Sequence, residues 1–134
     1  MSGKQEAVTA FQKRILNPLV RRAIERGWAP PGYAVLETTG RRSGLPRRTP
    51  VGDGRRGDAF WIVAEFGRRA GYVRNIEANP RVRVLTGRRW RTGTAHLLPE
   101  DDPRERQRDL PRLNALTVRA VGTDLLTIRI DLDP

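Results

Sequence analysis

A small antiparallel β-barrel with flanking helices, mainly β within the α+β class, is the fold this sequence predicts. Six segments read as strands, helical periodicity is confined to three stretches, and the two never alternate in the βαβ order of a doubly wound sheet. The 134 residues suit one domain over 1–134, with a helical segment over 1–28 and a barrel with inserted helices over 33–134.

The elements follow in order. Val8, Phe11, Ile15 and Leu19 recur at spacings of three and four, which predicts helix over 5–26, interrupted at Asn17-Pro18 and ended by Gly27 and Pro30-Pro31-Gly32. YAVLETT, Tyr33 to Thr39, is β-branched and aromatic enough for a strand, and RRTPV, from Arg47, starts a second strand pairing with it. AFWIVA, Ala59 to Ala64, follows the Asp53-Gly54 turn and the polar stretch Arg55 to Asp58; its continuous apolarity predicts burial on both faces. YVRNIEAN reads as a short helix stopped by Asn79-Pro80, with Tyr72, Asn75 and Ile76 on one side. RVRVL and RWRTGTAHLL flank Gly87 as a hairpin, placing Trp90, Thr92, Thr94 and His96 on one face. In the second helical region Asp102 is a cap, Pro103 is the first helical position and Pro111 restarts the helix. LLTIRIDL alternates strictly, with Leu126, Ile128, Ile130 and Leu132 on a buried face.

Composition excludes several function classes. With no cysteine, disulfides, thiolate nucleophiles, iron–sulfur clusters and cysteine zinc sites are ruled out, and a single histidine, His96, leaves no His-rich metal site. Glu100, Asp101 and Asp102 lack a distant fourth ligand and read as a helix cap, so no metal is expected. His96 among Thr92 and Thr94 reads as a hydrogen-bonded structural residue. Neither a signal-peptide core nor an apolar run of membrane-spanning length is present, so a cytoplasmic protein is expected, with the basic side of the N-terminal helix allowing peripheral membrane contact. Oligomeric state stays open between monomer and homodimer.

The net charge of +11, almost all of it from arginine, points to a polyanionic partner: nucleic acid, an anionic membrane surface or a phosphorylated small molecule. The charge concentrates in TTGRRSGLPRRTPV, Thr38 to Val51. Between two strands, Gly40-Arg41-Arg42-Ser43-Gly44 can curl so that backbone N–H groups and the Ser43 hydroxyl converge as an anion-binding nest ringed by Arg41, Arg42, Arg47 and Arg48. It matches neither a Walker loop nor a dinucleotide fingerprint. The few aromatic residues lie mostly in apolar runs, and no nucleic-acid-binding signature is recognisable, so no nucleic-acid partner is expected.

The string VLETTGRRSGLPRRTPV, followed by FWIVAEFG, YVRNIEANPRVRV and GTAHLLPEDDPRER, resembles the deazaflavin-dependent nitroreductase and F420H2-dependent quinone reductase family, whose members use coenzyme F420. The resemblance runs from about Leu16 to the C-terminus. It implies a split β-barrel of the FMN-binding, flavin-reductase type, a small-molecule electron acceptor, and hydride transfer from the reduced deazaflavin to an enone, quinone or nitro compound. By the same resemblance the basic loop holds the coenzyme's phosphate and the start of its glutamate tail through Arg41, Arg42, Ser43 and Arg47, with Arg48 and Thr49 beside them. The ring lies against Pro50 and Val51 and against Ala64, Glu65 and Phe66, although the family usually carries a small or polar residue in place of Glu65. Tyr72 and Asn75 stand where the family has W-Y-H-N, as candidate catalytic residues: Tyr72 as proton donor, Asn75 as a hydrogen-bonding group. Tyrosines that lodge substrate in the family's C-terminal helical region are absent here, since the chain's tyrosines are Tyr33 and Tyr72. The alternatives are a split-barrel protein binding FMN or haem, a non-catalytic coenzyme or lipid carrier, and a basic nucleic-acid-binding module.

Overall fold

Alternation along the chain is realised as one antiparallel sheet. A computed structural model describes residues 32–64, 66–108 and 125–134, together with 22–23 and 26–28. The strands are β1 (Tyr33–Thr39), β2 (Pro46–Gly52), β3 (Arg55–Arg56), β4 (Ala59–Ala64), β5 (Arg81–Thr86), β6 (Arg89–Leu98) and β7 (Leu126–Leu132). Helix α1 spans Gly71–Ala78 after a 3₁₀ turn at Gly67–Arg69, and α2 spans Pro103–Arg108. The N-terminal helix before residue 22, its break at Asn17-Pro18, Pro30-Pro31, Glu65 and the helical region at 109–124 lie outside the described residues.

The strand order is β2-β1-β5-β6-β7-β4-β3, with every pairing antiparallel. The two ends of that order, β2 and β3, are joined by Asp53 and Gly54 alone. Laid flat, seven strands would separate the ends by about 29 Å, whereas so short a link spans about 10 Å. The sheet must therefore curl until its ends meet. The result is a split barrel, as expected, with inward-facing Leu36, Phe60, Val84, Ile128 and Ile130 each fully buried. Removing each such side chain from water contributes about 1.5–3 kcal/mol.

Local signals place the helices. Asn79, extended as a residue before proline must be, closes α1 by donating its N–H to the Asn75 carbonyl at 2.8 Å. Asp102 Oδ1 accepts from the N–H groups of Arg104 and Glu105 at 3.0 and 3.3 Å, the expected cap of α2. Three details differ from expectation. The polar stretch before β4 contains the two-residue strand β3, because the Gly57 turn folds it back onto Phe60 and Ala59. Trp61 of β4 is half-buried, its ring covered by the Arg106 guanidinium at 3.9 Å rather than by the core. In β7, Thr127 is buried on the side opposite the apolar row. No helix among the described residues is long and apolar enough to cross a membrane.

Candidate functional site

The β1–β2 hairpin carries the basic loop, and its shape follows from its glycines. Gly40 donates to the Leu45 carbonyl at 2.8 Å, and Gly44 donates to the Gly40 carbonyl at 2.8 Å, closing the loop on itself. A Cβ on Gly40 would lie 2.5 Å from Ser43 Oγ and 3.2 Å from the Leu45 carbonyl oxygen, so no side chain fits there. Gly44 has φ +71°, which a side chain would disfavour. Ser43 Oγ accepts from the Leu45 N–H at 3.1 Å and from Arg47 Nη2 at 3.5 Å.

Helix α1 abuts this loop. Asn75 Oδ1 accepts twice from Arg41, from its backbone N–H at 3.2 Å and from Nη1 at 2.9 Å. Arg41 Nη1 also reaches the Gly71 carbonyl at 3.4 Å, and Asn75 Nδ2 donates to Thr38 Oγ1 at 3.0 Å. Loop and helix enclose an open cavity of about 370 Å³ lined by Gly40, Arg41, Arg42, Ser43, Arg47, Thr49, Gly71, Tyr72 and Asn75. Its size is that of a small-molecule site. Among the described residues no carboxylate pairs with Arg41, Arg42 or Arg47, and no acidic side chain lines the cavity. The start of α1 has no side-chain cap and no acidic residue in its first turn, so its N–H groups add positive potential. The arrangement suits an elongated anion with several oxygens.

Other residues named from the sequence are not among those lining this cavity. Strand parity sends Arg48 and Pro50 to the face opposite Arg47 and Thr49. There Arg48 Nε meets Glu37 Oε2 at 3.0 Å, while Arg83 bonds both oxygens of Glu37 at 2.8 and 2.9 Å. Both guanidiniums lie over the Trp90 ring, 4.8 and 4.6 Å from its centroid. Hydrogen bonds from Arg83, followed by Arg48, hold the Glu37 carboxyl below its ordinary value against the opposing effect of burial. Val51 and Ala64 are core residues, 8% and 0% exposed. Phe66 is half-buried beside the Arg69 guanidinium, and Glu65 lies outside the described residues. His96 Nε2 lies 3.0 Å from Asp131 Oδ2, remote from the cavity, in a hydrogen-bonded structural setting.

Sequence reasoning missed Gly71, which lines the cavity, and Thr38, which supports it through Asn75. Thr38 had a signal, being the polar residue on the inward row Ala34, Leu36, Thr38. Gly71 had none, because its carbonyl meets Arg41 only after α1 has docked.

Comparison with known proteins bears on what the cavity takes. A family model described as F420H(2)-dependent quinone reductase matches residues 11–133. An F420H(2)-dependent quinone reductase of Mycobacterium tuberculosis strain H37Rv is 38% identical over 78 residues, 56% of this chain and 52% of the relative. The match thus spans about half the length of that relative. Among solved structures, an F420-H2 dependent reductase superposes with a TM-score of 0.58 at 19% identity, covering 75% of this chain and 94% of that one. HutZ, the haem storage protein of Vibrio cholerae, gives a TM-score of 0.58 at 12% identity over 89% of this chain and 91% of that one. At such identities the likeness concerns the fold alone, which hosts more than one ligand chemistry. The family match covers the sheet, the basic loop and α1 together, and the chain belongs to the F420H(2)-dependent quinone reductase family.

Proposed function

We propose that this protein is an F420H2-dependent oxidoreductase that reduces a quinone or a similar electron-poor small molecule. The observation that carries the reading is the cavity of three arginines that have no carboxylate partner among the described residues, set against the uncapped start of α1 in a chain of this family. The donor set fits the coenzyme: its phosphate and glutamate carboxylates are anionic, and the lining offers guanidiniums, a serine hydroxyl and the uncapped start of α1, while the N–H groups of Gly40, Arg41, Gly44 and Leu45 are taken up within the protein rather than converging as the expected nest. When bound, reduced coenzyme F420 supplies the hydride for a two-electron reduction of the acceptor.

The chain's own residues bind, orient and hold a proton. Arg41, Arg42 and Arg47 take the anionic part of the coenzyme, with Ser43 and Thr49 between them. Reduction of a quinone also consumes a proton, and the proposed donor is the hydroxyl of Tyr72, a residue that lines the cavity and packs against the core. Asn75 fixes Arg41 by its amide oxygen, so its part in the reaction is positioning rather than contact with the acceptor.

A fluorescence titration of the protein with coenzyme F420, beside FMN and a random oligonucleotide at physiological salt, tests the binding. Saturable micromolar binding of F420 alone is expected; binding of FMN or the oligonucleotide instead would reject the assignment. Tyr72→Phe is expected to lower quinone turnover about tenfold or more while leaving F420 affinity unchanged. An unaltered rate returns Tyr72 to a packing role.

A further inference from the structure

Thr38 occupies an inward position of β1 directly below the loop and is 1% exposed. It does not line the anion cavity. Its hydroxyl oxygen accepts from Asn75 Nδ2 at 3.0 Å, and Asn75 is itself 5% exposed. A carboxamide has a donor end and an acceptor end, and its two orientations have similar shapes; only its partners distinguish them. Here Arg41 presents two donors to one end, its backbone N–H and Nη1, and these decide the orientation, while the Thr38 hydroxyl, able to donate or to accept, accepts at the other. Turned over, the amide would set N–H against N–H and face the guanidinium with its positive end.

The consequence reaches the ligand through Arg41. Its partners among the described residues are neutral, Asn75 Oδ1 and the Gly71 carbonyl, so it is held with no carboxylate offsetting its charge. Nε and Nη2 have no partner among the described residues and remain available to an anion. Arg48, by contrast, is held by a carboxylate.

We infer that Thr38 is a positioning residue: from beneath the site it anchors the Asn75 amide, which the donors of Arg41 orient, and through that amide it fixes the backbone and guanidinium of Arg41 before the ligand arrives. Fixing the guanidinium in advance removes an ordering cost from binding. The inference rests on the proposed coenzyme for the identity of the ligand, but not for the chain of contacts.

The test compares wild type with Thr38→Val, which keeps the shape and removes the hydroxyl, and with Thr38→Ser, which restores it. Hydrogen exchange at the Arg41 backbone amide in the ligand-free protein should accelerate in Thr38→Val and return toward wild type in Thr38→Ser. F420 affinity should fall about tenfold in Thr38→Val and stay within about twofold in Thr38→Ser. In an Arg41→Ala background, Thr38→Val should change affinity by less than about twofold, because both substitutions disable one device. Unchanged Arg41 exchange in Thr38→Val overturns the inference, as does faster exchange with undiminished affinity or full additivity with Arg41→Ala. Should wild type bind no F420, the proposed coenzyme fails, and the exchange measurement still decides whether Thr38 orders the loop.

Discussion

Arg47 and Arg48 are neighbours in sequence and opposites in the molecule. Arg47 faces the cavity, where it donates to the Ser43 hydroxyl and has no carboxylate partner among the described residues. Arg48 faces the outer side of the same hairpin, where Glu37 of β1 stands between it and Arg83 of β5, and Trp90 of β6 underlies both. One face is charged and open to a ligand, and the other is an ion triad closed on itself. Arginine density therefore does not define an anion site; what defines it is which guanidiniums lack a carboxylate within reach.

The largest effect should come from breaking the closed face. Glu37→Ala leaves two guanidiniums without their carboxylate, one of them 41% exposed and so partly rehydrated, and should cost about 3 kcal/mol in urea unfolding while changing F420 affinity by less than about twofold. A loss of affinity with little loss of stability would mean that the two faces are not separate. The open face should respond in the reverse sense. Arg47→Ala is expected to weaken F420 binding by about 1.5–3 kcal/mol with unfolding unaltered within about 0.5 kcal/mol, whereas Arg48→Ala should lower stability and spare affinity. If Arg48→Ala matched Arg47→Ala in a binding titration, the assignment by strand face would be wrong.

A smaller effect sharpens the contrast by pH. The folded-state pKa of Glu37 lies below its ordinary 4.5, so the triad's stabilisation is fully present above that value and is lost as pH falls through the lowered one. Asp101 beside Arg106 and Asp133 beside Arg81 are lowered in the same sense. Thermal unfolding between pH 6 and pH 3 should show a falling acid limb that is shallower in Glu37→Gln. An identical slope in the two proteins would remove Glu37 from the acid response. The smallest effect lies away from both faces, at the β5–β6 turn, where Arg88 holds φ 65° after Gly87 at 58°. Such a turn favours glycine or asparagine, so Arg88→Gly should stabilise the protein by up to about 0.5 kcal/mol and leave F420 affinity unchanged. A destabilised Arg88→Gly protein would show that the arginine side chain, not the backbone strain, matters there.

Much of the fold was legible because its determinants are local. The apolar row of Leu126–Leu132, the Asp102-Pro103 cap and the Asn79-Pro80 stop each act within a few residues, and each stands in the structure, although β7 also buries Thr127 on its other side. β3 escaped because two arginines beside a glycine carry no period, and they pair only after the Gly57 turn has brought them to β4. At the site, the loop composition named Arg41, Arg42, Ser43 and Arg47, all of which line the cavity. The same composition named Arg48, which does not, since composition is blind to the alternation of strand faces.

By itself, then, the sequence determined that strands, short helices and an arginine-rich glycine loop exist, because periodicity, capping and backbone freedom are properties of neighbouring residues. Only the tertiary structure decided which charges are available. The register of β1 against β2 and β5 delivers Glu37 to Arg48 and Arg83. The docking of α1 delivers Asn75 to Arg41 and Thr38, with neutral partners where carboxylates would have cancelled the charge. Electrostatic pairing depends on distances of a few ångströms between residues far apart in the chain, and those distances are set by the curl of the sheet.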